Sequence, residues 1–328
     1  MGRRMLALLL AGLVALAPGC AGEGQVSFST QSRTLRLWVG PGAGSPLAEQ
    51  AELFARQAAE YAEGSLAVEA VWEEPEAGGW ELALLDGGQL AQAAPVFAMF
   101  SLPFLYDSGE HLGRALNDRQ LLGSLSRQLE GVGLRPLAAL YGGSPRLITA
   151  GPELRTPGDF QDLTLALGEG QSQQEAAFQA LGARVVSAPA GQAAALLGRT
   201  AEDAGPVGAA EASLAQAQAL AGQVEGLTLI NSCHATAPLW LVARSESWEQ
   251  LPEWQQAAVL EALAGLSGRM ALQAQEEERT AREALEAAGA ALVEVERPLL
   301  AQAVYEGGDY QLPDFFDRQL YDWIQEYA

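Results

Sequence analysis

The sequence predicts an α/β fold, and three observations carry that expectation. Its first regular stretch reads strand, helix, strand, an opening that implies parallel pairing. Short β-like runs alternate with helical ones through the second half. Residues 251–289 then continue without an interior proline after Pro252, so the helix they predict exceeds the span of one small domain and is expected to lie across two.

The elements follow in order. LRLWVG (35–40) is the first strand. SPLAEQAELFARQAAEYAEG (45–64) places Ala, Leu and Phe at three- and four-residue spacing, the pattern of a helix with one buried face, and Gly64 stops it. SLAVEAVW (65–72) and WELALLD (80–86) are strands. VFAMFSLPFLYDSGE (96–110) follows, with eight of its first eleven residues large and apolar. There Ala94–Phe100 is expected to form a buried strand, Pro103 to prevent its continuation, and Asp107 to cap the next helix with Glu110 three residues on. A fully apolar crossing segment of this kind needs protein on both sides. Further strands are expected at 134–141, 145–151, 163–167, 183–188, 204–209 and 227–232. Helices at 172–182, 190–198 and 209–222 separate them, punctuated by Gly or Pro. After the long helix, AALVEVERP (290–298) reads as a late strand and LPDFFDRQLYDWIQEYA as a closing amphipathic helix.

Composition limits the partners. The formal charge is −22, which disfavours nucleic acid and anionic membrane surfaces, and an anionic ligand would need a local cationic anchor. All 19 basic residues are arginine; we read this as compositional bias. The start, MGRRMLALLLAGLVALAPGC, joins a basic pair to a short apolar segment and small residues, the pattern of an export signal over 1–19. Its Leu-Ala-Pro-Gly-Cys ending resembles a lipoprotein cleavage site, which would put lipid on Cys20, with ordinary secretion as the alternative; residues 20–33 read as a polar tether. Cys233 is the only other cysteine, so a lipidated Cys20 leaves no intramolecular disulfide.

Catalytic signatures are missing. The sequence has no Gly-x-Ser-x-Gly elbow, Walker loop, His-Glu-x-x-His helix or Cys-x-x-Cys pair. Cys233 and His234, read as neighbours on a strand, would point to opposite faces and could not act as nucleophile and base. The two histidines are far apart in sequence, and Glu73-Glu74 and Glu276–Glu278 read as solvated faces. No enzymatic activity, cofactor or metal is expected.

With these features in sequence order, the chain resembles the extracytoplasmic substrate-binding proteins of TRAP transporters, the DctP-like family. FSLPFLYDSGEHL, LYGGSPRLITAGPELRTPGDFQDLTLAL, FQALGA, INSCHATAPLWLV and SWEQLPEWQQ at the head of the long helix carry the likeness, over about residues 34–290. The resemblance implies a periplasmic-binding-protein-like clamshell of two α/β lobes that close on a ligand by hinge bending, with the long helix spanning both. Expected boundaries are 34–143 and 237–270 for lobe I, and 144–236 and 271–328 for lobe II. The implied partners are a small organic solute, for which an organic acid is one reading, and the membrane subunits of a TRAP permease. The implied location is periplasmic or extracytoplasmic; the one membrane contact considered is a lipid anchor, if Cys20 carries one.

The binding chemistry departs from the family pattern. The arginine that most members place after Thr-Pro-x-Asp to clamp a ligand carboxylate is replaced here by Ala166. A carboxylate buried without that partner would lose roughly 3–5 kcal/mol. Pro206 falls where the family carries an asparagine, in the stretch beginning at Glu202. The ligand-binding candidates are therefore Arg146, which matches a second family arginine, with Trp38, Tyr141, His234, Asn231 and Glu202. Each keeps a structural alternative: an ion pair for Arg146, core packing for the aromatics, a satisfied buried histidine for His234. The whole chain keeps one too, a degenerate envelope lipoprotein acting as a sensor or protein-interaction partner.

Overall fold

The computed structural model describes residues 33–40, 47–73, 75–76, 79–201 and 204–328. The expected export signal, Cys20 and residues 20–32 lie outside these. The strands are β1 (Arg33–Val39), β2 (Leu66–Val71), β3 (Leu82–Asp86), β4 (Leu134–Tyr141), β5 (Arg146–Ala150), β6 (Thr164–Gly168) and β7 (Arg184–Ala188). They continue with β8 (Thr200–Ala201), β9 (Gly205–Pro206), β10 (Ala209–Ala212), β11 (Leu227–Asn231), β12 (Pro238–Arg244) and β13 (Ala291–Glu294). The helices are α1 (Leu47–Tyr61), α2 (Gly87–Ala91), α3 (Gly109–Leu116), α4 (Arg119–Leu129), α5 (Ser172–Ala180), α6 (Leu214–Leu220), α7 (Ser245–Glu249), α8 (Glu253–Ala287), α9 (Arg297–Glu306) and α10 (Arg318–Gln325).

Two mixed sheets result, in the orders β2-β1-β3-β12-β4 and β13-β11-β5-β10-β6-β7, with β8 and β9 as a separate hairpin. The opening behaves as its pattern implies: β1 pairs in parallel with β2, and α1 crosses between them. Ala51, Phe54 and Ala58 on α1 are buried in one cluster with Leu35, Leu37 and Val39, which alternate along β1. Gly64, at φ +75°, supplies the left-handed turn that ends this helical unit, its N–H bonding the Ala59 carbonyl.

Four local expectations are corrected. Residues Pro95–Ser101 form a 3₁₀ turn, not a strand. Pro95 occupies its first position without wasting a donor, and the three-residue repeat puts Phe97 and Phe100 on one side, each 5.1 Å from the Trp240 ring. The cap of α3 is Ser108, whose Oγ accepts from the His111 N–H, while Asp107 pairs with Arg297 instead. Ala209–Ala212, expected as helix, is strand β10, because its place between β5 and β6 satisfies its backbone on both sides and overrides alanine's helix preference. That helix begins only after Ser213, which forms a capping box with Gln216. The expected helix at 190–198 contracts to a 3₁₀ turn over Ala193–Leu196.

The long helix is continuous. At 35 residues α8 is about 50 Å long. Its first half buries Ala258, Val259, Ala262, Leu263, Leu266 and Met270 in the core of the first sheet, and Leu285 enters the core of the second. Between Met270 and Ala281 no residue of α8 is buried. Gly265 sits where a Cβ would come 3.1 Å from Arg269 Nη1, and this clearance lets Arg269 donate to Gln57 Oε1 of α1 at 2.8 Å. The apolar run lies where the two sheets' cores meet: Phe104 packs edge-on to Phe178 of α5, and the Tyr305 hydroxyl of α9 donates to the Pro103 carbonyl.

Candidate ligand-binding cleft

Strand direction locates the cleft. In the first sheet β12 is antiparallel to both β3 and β4, so β1, β2, β3 and β4 all point one way. In the second, β5 opposes β10 and β11, and the remaining strands run with those two. The chain passes from the end of β4 into β5, and from the end of β11 into β12. Each crossing thus leads from a carboxyl edge of one sheet to the reversed strand of the other. The two carboxyl edges therefore meet across residues 142–145 and 232–237, which is where open α/β sheets bind ligands. Thr236 Oγ1 donates to Ser144 Oγ at 3.1 Å and ties the crossings together.

Arg146 stands at the start of β5, only 4% exposed. Nη1 donates to the carbonyls of Ser144 at 2.8 Å and Pro145 at 3.4 Å, and Nη2 to Glu278 Oε2 of α8 at 3.1 Å. One guanidinium thereby joins a crossing segment to the long helix. The network continues outward, since Arg282 donates to both Glu278 and Glu294, and Asn231 Nδ2 donates to Glu294 Oε2 at 2.7 Å. Tyr141 lies beside Arg146; burial pushes its hydroxyl pKa above 10, against the opposing charge of that arginine. Its ring packs on the start of α3, where a Cβ on Gly109 would come within 2.6 Å of three ring carbons.

A second polar group surrounds His234, which is fully buried. Nδ1 contacts Ser232 Oγ at 2.6 Å, and Nε2 contacts Glu211 Oε2 at 3.2 Å. Gln171 Nε2 donates to Glu211 Oε1 at 2.8 Å. Burial pushes the Glu211 carboxyl up, but bonding and charge from His234, with donors from Gln171 and the Gly168 N–H, outweigh it and hold the pKa below the ordinary value. The order Ser232–His234–Glu211 copies the connectivity of a hydrolase relay, yet Ser232 is wholly buried and offers no substrate access. The expectation that Cys233 lies on a strand is corrected: β11 ends at Asn231 and Cys233 sits in a left-handed turn at φ +47°, where burial raises its thiol pKa and leaves it a poor nucleophile.

The remaining candidates are placed apart. Trp38 packs at 6.3 Å from Trp80, whose ring carries the Arg244 guanidinium at 4.4 Å. Glu202 lies outside the described residues. The structure thus groups Arg146, Tyr141 and Asn231 around one ion-pair network and His234 in another. Ala166 is fully buried, in a cross-strand row with Ile148, Ala210 and Val186. Glu211, Gln171 and Glu278 were missed by sequence reasoning. Glu211 sits in an alanine-rich stretch that reads as helix, and Glu278 in an acidic run that reads as solvated.

Comparison with known proteins agrees with this architecture. No curated protein matches the chain significantly. Among solved structures, a TRAP periplasmic solute-binding protein from Rhodobacter sphaeroides in an apo, open state superposes with a TM-score of 0.75 at 16% identity, covering 90% of this chain and 97% of that one. One from Ochrobactrum anthropi, with its C-terminus bound in the ligand-binding pocket, gives 0.69 at 20% identity, with 91% of each chain covered. One from Roseobacter denitrificans, with bound β-D-glucuronate, gives 0.64 at 20% identity, covering 89% and 99%. The family description for bacterial extracellular solute-binding proteins, family 7 (DctP), matches residues 40–309, and the chain belongs to that family.

Proposed function

We propose that this chain is the extracytoplasmic solute-binding component of a TRAP-type transporter, which captures a small organic solute between its two sheets and hands it to the membrane permease. The carrying observation is the pair of facing carboxyl edges joined by two short crossings and one long helix, a geometry suited to hinged closure. The lobes are residues 34–143 with 237–270, and 144–236 with 271–328. Among the described residues no helix is long and apolar enough to cross a membrane, which fits a protein tethered through Cys20. The test is thermal denaturation with a broad panel of organic acids, polyols and amines. A true ligand at a hundred times its Kd should stabilise by about 2.7 kcal/mol. Stabilisation by no solute would end the reading.

A second reading, a family member that has given up solute delivery for a sensory or protein-binding role in the envelope, draws on Ala166 and on the engagement of Arg146 by Glu278. A neighbouring pair of genes for multispanning permease subunits would count against it.

A further inference from the structure

The cleft edge of the second sheet presents acceptors where an acid-binding site needs free cations. Among the described residues, four arginines near this edge are paired with carboxylates: Arg146 with Glu278, Arg282 with Glu278 and Glu294, Arg297 with Asp107, and Arg155 with Glu153. Ala166 closes the remaining position with an apolar row.

Acceptor capacity, by contrast, is left over: Gln171 Oε1 has no partner, and the Glu211 carboxylate, with about four lone-pair sites, takes donors from His234, Gln171 and Gly168 only. Because Gln171 spends its amide N–H on Glu211, its Oε1 is fixed as an acceptor, and that oxygen is buried without a partner. Beside it the Glu211 carboxylate keeps 15% of its side chain exposed. Both stand at the carboxyl ends of β6 and β10. Gly168 keeps the space over them open, since a Cβ there would come 3.1 Å from Gln171 Nε2 and 3.5 Å from Glu211 Oε1. A buried carbonyl oxygen next to a carboxylate is completed by a ligand that donates, not by one that brings a second anion.

Building on the solute-binding reading above, we propose that Glu211 and Gln171 are specificity-determining residues of the cleft. They take the N–H or O–H groups of a donor-rich solute lacking a carboxylate, an amine or a polyol.

Isothermal titration calorimetry on the intact mature chain tests this, using amines and polyols against carboxylates matched to them in carbon skeleton. The expected result is binding within the amine and polyol sets, weakened at least tenfold by Gln171→Leu. Glu211→Gln separates the two sources: amine affinity should fall at least tenfold, polyol affinity much less. Should Glu211→Gln fail to fold through its link to His234, the half-buried Gln171→Leu still provides the reading. Binding of the carboxylates alone would overturn the proposal while leaving solute binding intact. Amine or polyol binding unchanged in both variants would overturn it by moving the site elsewhere. Binding of none would overturn both.

Discussion

Arg146 matches a family arginine by position, yet its fork is filled by Glu278 and two carbonyls. Replacing it with alanine strands these acceptors, so Arg146→Ala should lower unfolding stability by roughly 2–3 kcal/mol, the scale of a hydrogen-bonded charge, discounted because Glu278 is partly exposed. Urea denaturation of Arg146→Ala, Glu278→Ala and the double variant measures this. Additive losses would show that the pair is uncoupled. An unchanged midpoint with lost affinity for an acid would instead make Arg146 a ligand contact. The position of Arg146 was legible in sequence; its partner was not, because Glu278 lies 132 residues away in an acidic run whose neighbour Glu276 is solvated. Sequence spacing shows which residues share a helix face, but not which helix passes beside which crossing.

At the scale of elements, the docking of α10 depends on a neutral imidazole. His111 on α3 accepts the Asp107 N–H at Nδ1, leaving Nε2–H to donate to the Ile324 carbonyl at 2.8 Å. Arg114 and Gln325 add bonds to the Tyr327 and Leu105 carbonyls. Burial pushes the His111 pKa below the ordinary 6.5, with Arg297 and Arg114 acting in the same direction and Ile324 and Asp107 opposing it. The unfolded chain therefore binds this proton more readily than the folded one. The stabilisation is complete above about 6.5 and is lost as pH falls below that value toward the folded pKa. Thermal midpoints measured from pH 7.5 to 5 should drop further for the natural protein than for His111→Gln; parallel curves would refute the assignment. Element type was readable wherever period and punctuation agreed, as in β1, α1 and α8. It failed at Pro95–Ser101 and at Ala209–Ala212, where a Trp240-centred cluster and two flanking strands decided the conformation.

At the scale of the whole molecule, the α/β class and the long helix were legible because they rest on local signals repeated many times. The cleft chemistry was not, because Glu211, Gln171 and His234 converge from three separate elements. The two sheets share one core around Phe104 and Phe178, and the chain links them through the crossings and through α8, which buries no residue between Met270 and Ala281. Gln275→Pro, at an exposed position in that span, should cost about 3 kcal/mol of helix. Calorimetry should then show a transition that is single in the natural protein and broader or divided in the variant. A sharp, unshifted transition would mean that α8 does not couple the sheets.

The bare middle of α8 also bears on how tightly any solute can be held. A rod held over several turns by polar contacts alone, among them Glu278 to Arg146 and Gln273 to Gln50, can bow without tearing apart buried apolar side chains, so closing the jaws would strain it elastically. That stored strain is subtracted from the affinity and returned on reopening. The pairs Glu276–Arg279 and Arg279–Glu283 stiffen this spring from the solvent side, where dissolved ions weaken them. Grip and release would then respond to the salinity outside the cell even though no ion enters the cleft.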